Sequence, residues 1–475
     1  MRRGYLTVYL SLTLAVLLSL ILTLVEGARI NATRLSALCA ADVGINSVLS
    51  EFNKELFEQY DLLFVDTTYC GGAGGIEAVR ARLAHYLLQN LDESTPAFSR
   101  NLLKMKLVSA DILEYALATD NNAEAVLRQV ADYMDTTLKG VLISGIDDLT
   151  ADMAGGGFEY DTEGRRSEVQ AEIDSIGLPE YANENGEIEE IPLNNPADNV
   201  ESIRNAGILG LVLDDTSSIS RAKTELSAYL SHRSLISGYG ISEEERSMGR
   251  RAGPLTYDEY LFNKCGYYKN PKEGSLLSYE IEYVIKGNDS DWDNLEAVCR
   301  TLSLWREGAN FTYLCTDVSK IEEAEAMALS LAAVIMMPEL AEPVKWAILL
   351  AWAYVEALQD VRILLDGDGV PVVKTADTWH TPITGLFHPK SVIHSYPGQE
   401  GAKYGEYLKT MLLITDFGGV LPRSLDIMEM DVRLTPGNGN FKMDYCMQSF
   451  LVDIVTGSGH GHNAEVIRRS GYYYA

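Results

Sequence analysis

Residues 5–25 form a run of 21 positions without a charge. As an α-helix rising about 1.5 Å per residue, that run covers about 30 Å, the hydrocarbon thickness of a bilayer. A cleaved secretory signal would differ in two ways. Its apolar stretch is about 7–15 residues long, and small residues precede the cut. Here the run is longer and ends in Glu26-Gly27-Ala28-Arg29, a poor peptidase site. The sequence therefore predicts an uncleaved transmembrane anchor over residues 1–25, with residues 5–25 in lipid. Arg2, Arg3 and the terminal amine precede the run, while Arg29 and Arg34 follow it. The excess of positive charge on the cytoplasmic side favours, by a small margin, a cytoplasmic N-terminus and an extracellular C-terminal region in the cell membrane.

The helical pattern continues past the membrane. Leu35, Leu38, Ile45, Leu49, Phe52 and Leu56 fall on heptad a/d spacing, interrupted by Asp42. One apolar stripe over barely three heptads fits a core-facing helix better than a coiled coil. No proline lies between residues 26 and 57. A mid-helix glycine costs only about 1 kcal/mol relative to alanine. The expectation is one helix from Tyr5 to about Phe57, bent at most near Gly27 or Gly44, with Leu49 and Phe52 in the core of a head.

Three stretches carry a resemblance. They are Arg-Gly-Tyr-Leu-Thr-Val-Tyr-Leu-Ser at 3–11, the Glu-Gly-Ala-Arg at 26–29, and Tyr-Asp-Leu-Leu-Phe-Val-Asp at 60–66. They resemble a family of uncharacterised membrane proteins of Gram-positive bacteria, as do residues 199–210, 279–293, 305–317 and 352–365. The first 65 or so residues are also similar to the pseudopilins of tight-adherence (Flp-type) pilus systems. That resemblance implies a pilin-like head and processing between Gly4 and Tyr5, because prepilins are cut after a glycine preceding the apolar helix. Many carry Glu at the fifth mature position, where this chain has Tyr9. The departure points to an accessory or tip component instead of a bulk fibre subunit.

Composition narrows the partners. The net charge is −29, from 39 basic and 68 acidic residues. Nucleic-acid binding depends on neutralising phosphates, so it is not expected. The overall charge also disfavours adsorption to anionic lipid. Protein partners, cations or neutral ligands remain. Cys39, Cys70, Cys265, Cys299, Cys315 and Cys446 form no C-x-x-C pair, and the expectation is buried free thiols.

At 475 residues, two or three units are expected. The fold class is α+β: a pilin-like head over 26–154, an acidic linker or insertion over 155–200, and a mixed antiparallel-sheet and helix region over 201–475. In the head, residues 61–66 read as a buried strand and 71–75 as a glycine-rich turn. A helix follows from Ile76 to Leu91 with Val79, Leu83, Leu87 and Leu91 on one face. Strand-like residues around 102–118 precede a helix over 122–138. In the last region, alternation predicts a strand at 279–285 and a hairpin pairing 428–434 with 441–447 across Pro436-Gly437-Asn438-Gly439. Helices are expected near 292–308, 320–337 and 342–364. The apolar runs at 326–337 and 346–355 are too short to span a bilayer and predict a buried helical pair.

Chemical motifs are weak. The glycine-rich turn fails the dinucleotide spacing, with Glu77 at the third glycine position. Ser220 and Lys223 match the S-x-x-K of penicillin-binding enzymes, but Lys374-Thr375-Ala376 lacks the glycine of the partner motif, and Ser290-Asp291-Trp292 lacks its asparagine. A polar helix is expected over 224–231. His460 and His462 could chelate a metal from an extended chain, yet lie between glycines with no third ligand in view. His380, His388 and His394 have no helical metal spacing. Asp366-Gly367-Asp368-Gly369 lacks the late Glu of a calcium loop and reads as a turn before a strand at 370–374. No catalytic residue, cofactor or metal is assigned. The expected function is a membrane-anchored extracytoplasmic structural or interaction protein, a pseudopilin-like component working with pilus-assembly proteins. The alternatives are a cell-wall hydrolase using Ser220 and Lys223 or the histidines, and an anchored ligand-binding or sensor domain.

Overall fold

The structure is a computed structural model. It describes residues 3–71, 75–91, 103–137, 160–182, 188–191, 193–204, 206–240 and 251–472. Gly72 to Gly74, and therefore most of the expected glycine-rich turn, lie outside the described residues, as do residues 138–159. The chain forms two compact units. The first comprises Met1–Lys139, Ser227–Tyr257 and Leu425–Ala475; the second comprises Gly140–Leu226 and Asp258–Ser424.

In chain order the strands are β1 (Val65–Asp66), β2 (Lys106–Leu117), β3 (Glu180–Ala182), β4 (Ile188–Glu190), β5 (Cys446–Gly457) and β6 (Asn463–Gly471). The fold class is α+β, as expected. In the first unit β5 is central. It pairs antiparallel with β1, β2 and β6, in registers Val65↔Met447, Ile112↔Val452 and Ile454↔Val466. The N-terminal helix, Arg3–Leu49, and the helix Ile76–Leu91 cover one face of this sheet. Val79, Leu83, Leu87 and Leu91 are buried, the face that their spacing predicts. They meet Ala37, Ala41, Ile45 and Val48 of the first helix and Phe450, Val452 and Ile454 of β5.

The first helix passes straight through Gly27 and Gly44 but ends at Leu49, short of Phe57. The reason is Asn53. Its side chain accepts from Leu56 N–H at 3.0 Å and caps a new helix, Lys54–Tyr60, while its own N–H donates to Phe64 O at 2.9 Å. A good N-cap satisfies donors that a continuing helix would otherwise take, and so redirects the chain. The buried face also differs from the expected stripe. Thr33, Ala37, Ala40, Ala41, Ile45 and Val48 are buried, whereas Leu35 and Leu38 are exposed. Small residues win this face because the neighbouring helix comes close. A Cβ on Gly44 would sit 3.0 Å from Leu87 Cδ2.

The second unit is built on two 26-residue helices, Asp291–Thr316 and Ala341–Asp366, with Val318–Val334 against the latter. All three were legible in the sequence, but the run at 326–337 is not buried as expected: its helix buries only small residues there, Ala328 and Ala332, and Leu329, Val334 and Met336 are exposed. Ile348, Leu349, Trp352, Val355, Leu358 and Val361 are fully buried, so this apolar run is a core helix, not a span. Where the sequence suggests a linker over 155–200, the described residues form a helix, Thr162–Ile176, the β3–β4 hairpin and a helix, Pro196–Arg204. Asp161 caps the first of these, accepting from Gly164 N–H at 2.7 Å. Only Val169 and Ile173 supply its buried apolar side, too few to show as a composition signal.

The three strands expected from alternation are not formed, apart from Cys446 and Met447, which open β5. Residues 280–286 form a helix, 417–434 form another, and 443–445 make a single 3-10 turn before β5. Each alternation placed an acid between apolar residues, and an acid was read as a solvent-facing position. Here Glu280, Glu282 and Glu429 are fully buried and Asp431 nearly so, so the pattern carries no period-two face. Val370 makes one bridge, to Ala402, in place of the strand at 370–374; Gly367 at φ +103° caps the preceding helix. The polar helix expected over 224–231 is two short 3-10 turns, Leu226–Ala228 and Leu230–His232. Cys39 and Cys315 are exposed, Cys70 is half-buried, and only Cys265, Cys299 and Cys446 are buried; all six are free thiols.

Candidate functional site

The N-terminal helix is the feature that most limits function. It is the one candidate span among the described residues, and its most apolar window is entirely unburied. Gly4 and Tyr5, the expected processing pair, lie in its first turn, and Tyr5 is exposed. Of the residues expected to pack helix on head, Ile45 and Leu56 are buried. Leu49 is half-buried against the core, Phe52 is half-buried with its ring edge-on to Phe57 at 5.5 Å, and Leu38 is exposed.

Three polar contacts fasten the helix to β6 and the turn before it. His462 Nε2 meets the Glu26 carboxylate, Arg468 pairs with Asp42, and the Tyr472 hydroxyl donates to Leu49 O. The hydrogen bond with His462 holds the Glu26 carboxyl below its ordinary value. The histidine read as a metal candidate is thus a brace on the helix. Asp42, which interrupts the heptads, is the partner of Arg468.

The second unit holds a buried charge cluster that motif reading missed. Arg306, Glu356, Asp360 and Lys374 are all sealed from solvent or nearly so. Asp360 accepts from Arg306 Nε at 2.9 Å and Asn310 Nδ2 at 3.0 Å, and lies 2.6 Å from Lys374 Nζ. Lys374 also reaches Glu356 Oε1 at 2.7 Å and donates to Thr378 O. Burial alone would raise the Asp360 carboxyl, but Lys374 and Arg306 bring it below its ordinary value. Two cations and two anions balance. A charge inside a long apolar run was the available signal, since Glu356 and Asp360 interrupt 346–365.

These contacts also dissolve the S-x-x-K motif. The Ser220 hydroxyl donates to Asp291 Oδ2 at 2.5 Å, and Lys223 is two-thirds exposed, paired with Asp289 at 2.9 Å. Lys374 is committed to the buried cluster. A nucleophile needs a base that takes its proton and donors for the oxyanion. Ser220 instead shares Asp291 with the N–H groups of Ser278 and Tyr279, the pattern of a loop clamp. Fluorescent β-lactam and fluorophosphonate probes are therefore expected to leave the protein unlabelled. Labelling that disappears in Ser220→Ala would contradict this assignment.

A cleft of about 500 Å³ opens between the helices Thr162–Ile176, Pro196–Arg204 and Ala341–Asp366. Arg166, Asp174, Asp198, Glu201 and Arg204 line it. Arg204 grips the fully buried Glu307 with two bonds of 2.9 Å. Burial raises the Asp198 carboxyl.

Glu282 is a further buried acid. Tyr268 N–H and the Tyr404 hydroxyl donate to its Oε1 at 2.9 and 2.8 Å. Burial nevertheless raises its carboxyl to about 7, from an ordinary 4.5. The folded state then keeps a proton that the unfolded chain releases above about pH 4.5. The associated stability is full below that pH and is lost as pH rises through 7. Glu282→Gln should remove this loss and leave the variant more stable than wild type at pH 8, by on the order of 3 kcal/mol. Urea unfolding at pH 5 and pH 8 measures it. Identical pH dependence in the two proteins would mean that Glu282 is ionised in the fold.

No curated protein and no solved structure matches this chain. Residues 186–458, more than half of its length, match the model of a family of unknown function, DUF5702. The stretches at 199–210, 279–293, 305–317 and 352–365 all fall inside that match, and so do the helices that carry the buried cluster. The chain belongs to this DUF5702 family of unknown function.

Proposed function

We propose that the protein is a membrane-anchored, extracytoplasmic structural or interaction protein, a pseudopilin-like component of a tight-adherence pilus system. The observation that supports the reading is the N-terminal helix. A single helix supplies both the unburied apolar segment and one layer of the head's core, so force on the head passes to the membrane through continuous backbone. The resemblance of about the first 65 residues to pseudopilins adds to it. Catalysis is not part of the reading, because Ser220, Lys223 and Lys374 are each engaged in structural contacts.

A second reading rests on the cleft beside Arg166 and Arg204. Its volume is within the range of small-ligand sites. An anchored binding domain would use it. Copurification from solubilised membranes separates the two: assembly proteins of a pilus system support the first, and their absence leaves the second.

The protein is expected in the membrane fraction, with the head digested when protease is added to intact, wall-stripped cells. Protection of the head until the membrane is permeabilised would reverse the orientation. N-terminal sequencing should find a start at Met1 or Tyr5. A start at or beyond Gly27 would establish a secreted product and remove the anchor.

A further inference from the structure

The height of the head above the membrane follows from the three contacts between the first helix and β6. From Glu26 to Asp42 the helix rises about 24 Å, and from His462 to Arg468 a strand advances about 20 Å. From Asp42 to Leu49 the rise is about 10 Å, and from Arg468 to Tyr472 it is about 13 Å. The two advances keep pace through all three contacts, so β6 runs alongside the helix axis. The turn joining β5 to β6 therefore points back along the helix to Glu26, the first charge after the apolar run.

That end of the sheet is a rim. Gly459 N–H donates to Leu103 O at 2.8 Å, and Gly459 lies against the Lys104 side chain. Lys106 pairs with Gly457 in the last register of β2 and β5. Lys104, Lys106, His460 and Arg29 are exposed here, and Val108 stands out of the sheet as an exposed apolar residue at a break in the β2 register. Among the described residues, the carboxylates at this end are Glu26, engaged by His462 and Arg29, and Glu465, two residues up β6. The chain as a whole carries −29, yet this edge presents lysines and an arginine.

A bilayer's headgroup layer is about 5–7 Å thick on each side of the hydrocarbon. If the hydrocarbon ends near Val25, the rim at the level of Glu26 lies within that layer. We propose that the rim formed by Lys104, Lys106 and the 458–462 turn docks on anionic phospholipid headgroups and holds the head upright on the membrane. This docking rests on the anchor reading and on the continuity of the helix between anchor and rim. The complementary charges supply the attraction, and salt screens it. With the rim engaged, the helix is braced on one side by the sheet and on the other by lipid.

The test uses the full chain, floated with vesicles and then placed in nanodiscs of phosphatidylcholine, in nanodiscs that also contain phosphatidylglycerol, and in detergent. Amide hydrogen exchange is read in peptides covering residues 103–108 and 456–464. Exchange in these peptides is expected to slow in the phosphatidylglycerol discs, by about fivefold for each basic residue engaged. The slowing should be lost in the double variant Lys104→Glu/Lys106→Glu, whose side chains are exposed and leave the sheet intact. Equal exchange in detergent and in both discs overturns the proposal. So does equal slowing in both lipids, because the anchor's length and not the rim's charge would then set the contact. A chain that fails to float with vesicles removes the anchor reading together with this one; a chain that floats without rim protection removes only this one.

Discussion

Asp360→Ala is expected to destabilise the second unit by about 3–5 kcal/mol, the cost of stripping one partner from a buried ion network. Asp360 holds Arg306, Lys374 and Asn310 at once, and all four side chains are sealed from water or nearly so. Its removal leaves two cations facing Glu356 alone. Paired replacement should do far less harm. In Arg306→Met/Asp360→Leu the remaining Lys374 and Glu356 still balance, and apolar side chains fill the vacated space. Buried pairs exchanged for apolar residues are often neutral in stability. Chemical denaturation of both variants decides it. A loss below about 1 kcal/mol for Asp360→Ala would mean that water reaches the cluster and screens it.

The second large effect belongs to the helix. Ile45→Asp should cost at least about 4 kcal/mol, because it removes a buried side chain and leaves a carboxylate unpaired in the core. Ile45 is 2% exposed, packed in one core with Leu83, Leu87 and Ile454. The head should then become protease-sensitive while the variant stays in the membrane, since residues 5–25 are untouched. Leu38→Asp is the control. Leu38 is 45% exposed, and its replacement should leave protease resistance as in wild type. If Leu38→Asp opens the head and Ile45→Asp does not, the helix packs in the other phase.

That pair of variants also marks where sequence reasoning stopped. The large residues Leu35, Leu38, Ile45, Leu49, Phe52 and Leu56 drew attention to a stripe. The helix buries Ala37, Ala40, Ala41 and Val48 with Ile45 instead. Hydrophobic periodicity weighs side-chain size, whereas close helix packing selects small residues, and which of two adjacent faces is covered depends on a neighbour. Here the neighbour is Ile76–Leu91, whose own face was legible because its four leucine and valine positions admit one phase.

The same limit explains the buried acids. Glu282, Glu429 and Asp431 alternate with apolar residues and suggest strands by period. Glu429 is instead held by Arg233, about 196 positions away, with bonds of 2.6 and 2.8 Å. Tyr60 donates to Asp431 at 2.6 Å. Partners this distant in sequence leave no local mark on the acids they satisfy. Ser220 and Lys223 lacked a complete motif in the sequence, and in the fold Ser220 donates to Asp291 while Lys223 pairs with Asp289, partners that the motif alone does not point to.

By itself the sequence determined what depends on neighbours along the chain. That covers the apolar run and its helix, the helices Asp291–Thr316, Val318–Val334 and Ala341–Asp366, the helix at 76–91 and the α+β class. Each is a long periodic segment, and period, length and charge are local quantities. Tertiary structure decided the rest. It chose the first helix's buried face, placed β5 from the far end of the chain at the centre of the first unit's sheet, and turned His462 into a brace for Glu26. Those outcomes are set by which surfaces meet after the chain has closed on itself, and that information resides in pairs of residues from tens to hundreds of positions apart.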